Sequence, residues 1–181
     1  MKFKMGLFED PYGERYAHCK MHPQEGVQLS KEISDESVVL LKNENGLLPL
    51  NAEKLRSVAV IGPNADQVQF GDYTWSRNNK DGMTPLAGIR QLLGDKVTVR
   101  YEKGCSLVSL DTSGIKKAVE VARQSEVAIV FCGSASAALA RDYKSSTCGE
   151  GFDLNDLNLT GAQSQLIKEV YETGTPVVLV L

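Results

Sequence analysis

The sequence predicts an α/β fold, a mostly parallel sheet with helices on both faces in the flavodoxin-like manner. Three observations carry this. Short apolar runs recur at 57–62, 96–102, 127–133 and 176–181. Between them stand segments with apolar residues at helical spacing, giving a βαβαβαβ order that favours parallel strands joined by crossover helices. Most of the strand runs lack polar alternation, as in a sheet covered on both sides.

The elements follow in order. Residues 1–23 hold Gly6, Pro11, Gly13 and Pro23 with no sustained period, and read as a linker or arm. A domain over 24–181 follows. "PQEGVQLSKEISDESVVLL" opens with a proline at a first helical turn and carries a mixed helical face. "ENG" (44–46) is a turn signal between two apolar runs, so the helix is expected to close into a short extended hairpin. "SVAVIG" is the first strand and stops at Gly62-Pro63. "TPLAGIRQLLG" (84–94) is a helix stopped by Gly94, and "KVTVRYE" is an alternating strand. "DTSGIKKAVEVARQS" (111–125) is a helix opening on capping residues. "VAIVFCG" is a buried strand, "TGAQSQLIKEVYETG" (160–174) a helix that Gly174 can cap, and "PVVLVL" a fourth strand.

Composition narrows the function classes. The chain has 181 residues, 42% of them hydrophobic and 24% charged, with net charge -3. That suits one ordinary domain and gives no basic excess for nucleic acid. No stretch approaches the roughly 20 apolar residues that span a bilayer, so no membrane partner is expected. The opening "MKFKMGLFEDPYGE" lacks an apolar signal-peptide core, because Glu9 and Asp10 arrive too early. An apolar strand at the last residues, with no turn or polar tail, sets the expectation that the chain is part of a longer protein, its sheet cut short at the C-terminus.

Two long loops fall where α/β sheets gather their ligands, beyond the carboxyl ends of the strands. One is 62–83 and the other 133–158, both too long for idle connections. The first, "GPNAD…", lacks the glycine pattern of a dinucleotide site, and Pro63 removes a backbone donor. No G-x-S-x-G occurs, which argues against a serine hydrolase. His18, Cys19 and His22 cluster near the start but lack a fourth ligand with zinc spacing, so no metal is expected. Cys132 reads as a core thiol.

The second loop contains "STCGEGFDLNDLNLTG" (146–161), with Glu150 between two glycines. Glycosidic cleavage needs a carboxylic acid to protonate the leaving oxygen and a second carboxylate across the bond. Glycine neighbours let Glu150 present its side chain with little shielding, although spacing alone more often describes a solvated turn. Trp75, the only tryptophan, sits in the first loop as "GDYTWS". Its ring is either a platform for the apolar face of a sugar or packing beneath its own loop.

Together "SVVLLKNENGLLPLN", "VAVIGPNAD", "YEKGC" and "GEGFDLNDLNLTGAQ" resemble the second, α/β sandwich domain of family 3 glycoside hydrolases. The head "KMGLFEDPY" resembles the segment leaving that family's first domain, a TIM-type barrel. The resemblance spans nearly the whole chain, in order, and covers β-glucosidases and β-xylosidases. It implies a retaining exo-acting enzyme acting on oligosaccharides or aryl glycosides without a cofactor. Its nucleophilic aspartate would lie on the barrel, which this sequence does not include, so the chain alone is expected to be inactive. It implies that Glu150 is the general acid/base, with Asp142 or Asp153 as substitutes in a loop that varies in the family. Members often carry arginine after the aspartate, whereas Leu154 follows Asp153 here, so no substrate contact is carried over at 154. Trp75, with Tyr73 and Asp153, is implied on the substrate side, and "GDYTWSRNNKDGMTPL" looks closer to bacterial β-xylosidases than to plant glucan hydrolases. Members are often secreted or periplasmic. The competing class is a non-catalytic carbohydrate- or protein-binding module on the same sheet.

Overall fold

The four strands form one parallel sheet in the order β2-β1-β3-β4: β1 is Ser57–Ile61, β2 Thr98–Glu102, β3 Val127–Phe131 and β4 Val177–Val180. The computed structural model describes residues 1–14, 17–18, 24–71, 73, 82–136, 146–151 and 153–181. The described chain falls into two compact units, Met1–Leu48 and Pro49–Leu181. The expected end of the arm at residue 23 lies inside the first.

In that first unit, helix α1 (Gln24–Ser37) buries none of its residues, and Val38, Val39, Leu40 and Leu41 beyond it are also exposed. The hairpin expected after it is a turn without a strand ladder. Asn45 and Gly46 both take positive φ, at 60° and 63°. Asn43 closes the turn with its side chain, donating to the Leu48 carbonyl (2.8 Å) and accepting from the Leu48 amide (2.9 Å). A side-chain amide has supplied the pair of bonds that a facing strand would have made.

In the second unit the sheet is covered on both faces, as its composition requires. Alternate residues of each strand point to opposite sides. Ala59, Ile61, Ala128 and Val130 pack with Ile115, Ala118 and Ala122 of helix α3 (Ile115–Arg123) and with Leu166 and Val170 of helix α4 (Gln163–Tyr171). Val58, Val60 and Val127 pack on the other side with Leu86 of helix α2 (Pro85–Leu93), flanked by Ile89 and Leu93. Each large apolar side chain so buried contributes on the order of 1.5–3 kcal/mol. The glycine of "YEKGC" has a packing reason. A Cβ on Gly104 would meet Leu166 Cδ1 at 2.6 Å, so its absence lets α4 close on the loop after β2.

Helix ends show which local signals the backbone used. Thr84 caps α2, accepting from the Ala87 amide (3.1 Å), and Gly94 ends it by donating to Arg90. Helix α3 begins later than its capping residues predict. Asp111 accepts from the Ser113 amide (2.9 Å) and hydroxyl (3.0 Å), closing its own turn, and the helix starts beyond it at Ile115. Among the described residues no helix is long and apolar enough to cross a membrane.

Candidate active site

The strand order places a topological switch between β1 and β3, which lie side by side while their crossovers leave toward opposite faces of the sheet. Loops leaving the carboxyl ends of such neighbours diverge and leave a crevice where ligands bind. The two long loops of this chain rise from those two strands.

The first loop leaves β1 by crossing the end of β3. The Gly62 amide donates to Glu102 and the Asn64 amide to Phe131, both at 3.3 Å. Gly62 has φ +118°, and a Cβ there would lie 2.0 Å from the Phe131 carbonyl oxygen. The Ala65 amide turns back onto Gly62 (3.2 Å), so these three amides are spent on the ends of β2 and β3 and on the loop itself, and make no phosphate cradle. The loop's far end returns to its start. Leu86 donates its amide to Ala65 (2.8 Å), and the Thr84 hydroxyl donates to the Asp66 carboxylate (2.9 Å). Tyr73 stands on this loop, 74% exposed, in a left-handed conformation at φ 64°. Trp75 lies outside the described residues.

The second loop is fastened from below and then from the side. Gln163, fully buried at the start of α4, spans its first residue: its Oε1 accepts from the Gly133 amide (2.9 Å) and its Nε2 donates to the Gly133 carbonyl (3.0 Å). The same Nε2 reaches the carbonyls of Leu107 and Thr160, each at 3.2 Å. Beyond, the buried Thr147 clasps Ala135, its hydroxyl donating to the Ala135 carbonyl (3.2 Å). Its Oγ1 accepts from the Ala135 amide (2.9 Å), and its own amide donates to the Ala135 carbonyl (2.9 Å). A parallel bridge between Ser136 and Cys148 continues this closure. Asp142 lies outside the described residues.

Glu150 comes just after that closure. It is exposed, in a turn between Gly149 and Gly151, and Gly151 takes φ +73°. Asp153 is exposed as well, while Asp156 is occupied locally by the Asn158 amide (2.7 Å). The two loop roots lie close together: Asn64 Nδ2 is 3.7 Å from where a Cβ on Gly133 would sit. Tyr73, Glu150 and Asp153 thus stand on loops that leave one edge of the sheet from adjacent strands.

Beneath the second root, burial pushes the Cys132 thiol up to about 12, and neighbouring Cys105, itself raised by burial, adds to the shift. Both thiols are therefore neutral packing groups and not nucleophiles. Among the described residues no three His, Cys, Asp or Glu side chains gather where they could hold a metal ion. Of the head's cluster, Cys19 and His22 lie outside the described residues. Gln163 and Thr147 were not marked by the sequence. A glutamine at the start of an amphipathic helix, and a threonine in a polar loop, look solvated until the fold buries them.

Comparison with known proteins is consistent along the whole chain. The model of the glycosyl hydrolase family 3 C-terminal domain matches residues 38–181. A β-xylosidase of Formosa agariphila is 33% identical over 99% of this chain and 25% of its own. A periplasmic β-glucosidase of Salmonella typhimurium is 32% identical over 100% and 26%. The solved β-glucosidase of Erythrobacter marinus superposes with TM-score 0.75 at 28% identity, over 99% of this chain and 26% of that one. The chain spans about a quarter of the length of the curated relatives it matches. From its motifs, its doubly covered parallel sheet and these matches, the chain belongs to the C-terminal domain family of glycosyl hydrolase family 3.

Proposed function

We propose that this chain is the second domain of a retaining, exo-acting β-glycosidase, a β-xylosidase or β-glucosidase, and that it supplies the general acid/base and part of the leaving-group subsite. The observation that carries this reading is the emergence of the two long loops side by side at the β1/β3 switch, one bearing Glu150 in its glycine turn. The relatives' names support the substrate class.

In the longer enzyme an aspartate on a barrel domain, outside these residues, attacks the anomeric carbon. Glu150 protonates the departing oxygen, then takes a proton from the water that releases the sugar. Exposure on a fastened loop suits this two-way role, since the carboxyl group must meet both the glycosidic oxygen and the incoming water. Tyr73 and Trp75 hold the leaving-group sugar through their ring faces, and Asp153 accepts from its hydroxyls. The substrate is an oligosaccharide or an aryl glycoside. The chain by itself holds one of two required carboxyl groups and is inactive.

The test is Glu150→Gln in the longer enzyme, read as kcat/KM on a disaccharide and on a 2,4-dinitrophenyl glycoside. The disaccharide needs protonation of its leaving oxygen and loses about 10²–10⁴-fold. The dinitrophenolate leaves unaided, so its kcat/KM changes far less. Equal losses on both would remove Glu150 from the acid/base role. Sugar binding without turnover by the intact protein would favour a binding module instead.

A further inference from the structure

Gln163 is fully buried, and its carboxamide bonds to two distant segments, at Gly133 and Leu107, and to Thr160 in the turn before its own helix. On Gly133 it imitates a strand, taking the amide hydrogen and giving one back to the carbonyl. This pairing fixes which end of the carboxamide is oxygen, because Gly133 N–H needs an acceptor and Gly133 C=O a donor. On the other side it holds Leu107, in the loop after β2, and Thr160, whose hydroxyl donates to the same Leu107 carbonyl at 2.6 Å. Every polar atom of this buried group is engaged, the condition under which such a network confers rigidity. From Gly133 the chain runs to Ala135, which Thr147 clasps, and from Thr147 to Glu150. The exposed turn therefore hangs from a buried, doubly fastened root.

We infer that Gln163 is a positioning residue for catalysis, setting the root of the loop after β3 so that its carboxyl group meets the leaving oxygen. This rests on the reading that the loop carries the acid/base. Removing the carboxamide frees Gly133 and displaces the loop, and displacement of a catalytic group by an ångström costs up to about 10²-fold in rate. The loss falls on the step that needs the proton, not on the attack by the nucleophile.

The experiment uses the longer enzyme, with Gln163→Leu and Glu150→Gln side by side, folding being checked by thermal melts. For Gln163→Leu, kcat/KM on the disaccharide should fall about 10–10²-fold while the dinitrophenyl glycoside changes about threefold or less. A purely structural role lowers the active fraction and so lowers both substrates alike; that result, or no loss on either, overturns the inference. If Gln163→Leu fails to fold, Gln163→Glu retains the shape. Its protonated carboxyl can still give one hydrogen and accept another, whereas the buried carboxylate can give none. Its disaccharide-to-aryl ratio, relative to wild type, should approach one at acid pH and fall as pH rises; a pH-independent ratio overturns the role. The two readings fail separately. Selective loss in Glu150→Gln without it in Gln163→Leu sinks the positioning role alone. The converse keeps that role and moves the acid/base to another carboxyl group of the loop.

Discussion

The two long loops rise from neighbouring strands, yet they are rooted by different means. The loop after β1 is closed between its own two ends, by the exposed bond from the Thr84 hydroxyl to Asp66 and by a backbone bond from the buried Leu86 to the buried Ala65. The loop after β3 is closed by buried groups reaching it from elsewhere, Gln163 from α4 and Thr147 from its own far end. Leaving a buried polar group without its partner costs about 1–3 kcal/mol, whereas an exposed one turns to water. The exposed side-chain bond of the first root can thus exchange with water, while the buried side-chain bonds of the second hold one geometry. That division fits the roles proposed above, one loop shaping a subsite and the other carrying the acid.

The sharpest way to break the comparison is to damage both roots at once. Gly62 sits where they meet. An alanine there would place its Cβ 2.0 Å from the Phe131 carbonyl oxygen, a backbone atom of a central strand that cannot swing aside, at a φ of +118° that side chains rarely adopt. Gly62→Ala should lower the unfolding free energy by at least about 3 kcal/mol in urea denaturation. Gly71→Ala is the control on the same loop, with nothing within 4 Å of its Cβ and no positive φ. It should leave the midpoint within about 0.5 kcal/mol of wild type. Similar midpoints for the two variants would show that the junction is not constrained as described.

The core of this picture was open to sequence reading, and its fastenings were not. Three strands announce themselves as apolar β-branched runs, because a sheet covered on both faces needs no polar side, and the edge strand β2 through its alternation. Helix spacing and the Gly94 stop were legible for the same reason. Errors came where one polar side chain decided the local path: Asp111 spent its carboxylate on Ser113 and delayed α3, and Asn43 replaced a strand pairing with its own amide. The candidate acid Glu150 was visible through its flanking glycines, then sharpened by family motifs. Gln163 was hidden, since glutamine at a helix start is ordinarily solvated and only the packed fold reveals two distant backbone segments, at Gly133 and Leu107, converging on it.

Alkaline pH should loosen the second root before the first. Cys132 lies between the end of β3 and Gly133, and burial, with Cys105 beside it, raises its thiol to about 12 from an ordinary 9.0. A raised folded-state value means that the fold favours the protonated thiol. That contribution is complete below pH about 9, where the unfolded thiol also stays protonated, and is lost as pH climbs toward 12. Cys132→Ala removes the titrating group, at the cost of a small cavity. Its stability should start below wild type at pH 8 and decline less between pH 9 and 11 in thermal melts. Parallel declines in the two proteins would show that the thiol does not govern the alkaline limb.

The smallest effect should come from the exposed bonds of the first root. Thr84 caps α2 and holds Asp66 through one hydroxyl, so Thr84→Ala removes both bonds, each open to replacement by water. The helix-cap loss is about 1 kcal/mol, and the Asp66 bond adds little at an exposed site. Thr84→Ser, which keeps the hydroxyl, should recover most of it. In the longer enzyme proposed here, Thr84→Ala should alter KM for the disaccharide more than it alters the disaccharide-to-aryl ratio, because its loop shapes the leaving-group side and carries no proton. A change in that ratio as large as the one expected for Gln163→Leu would mean that both roots position the acid, and the contrast between a yielding loop and a fixed one would fall.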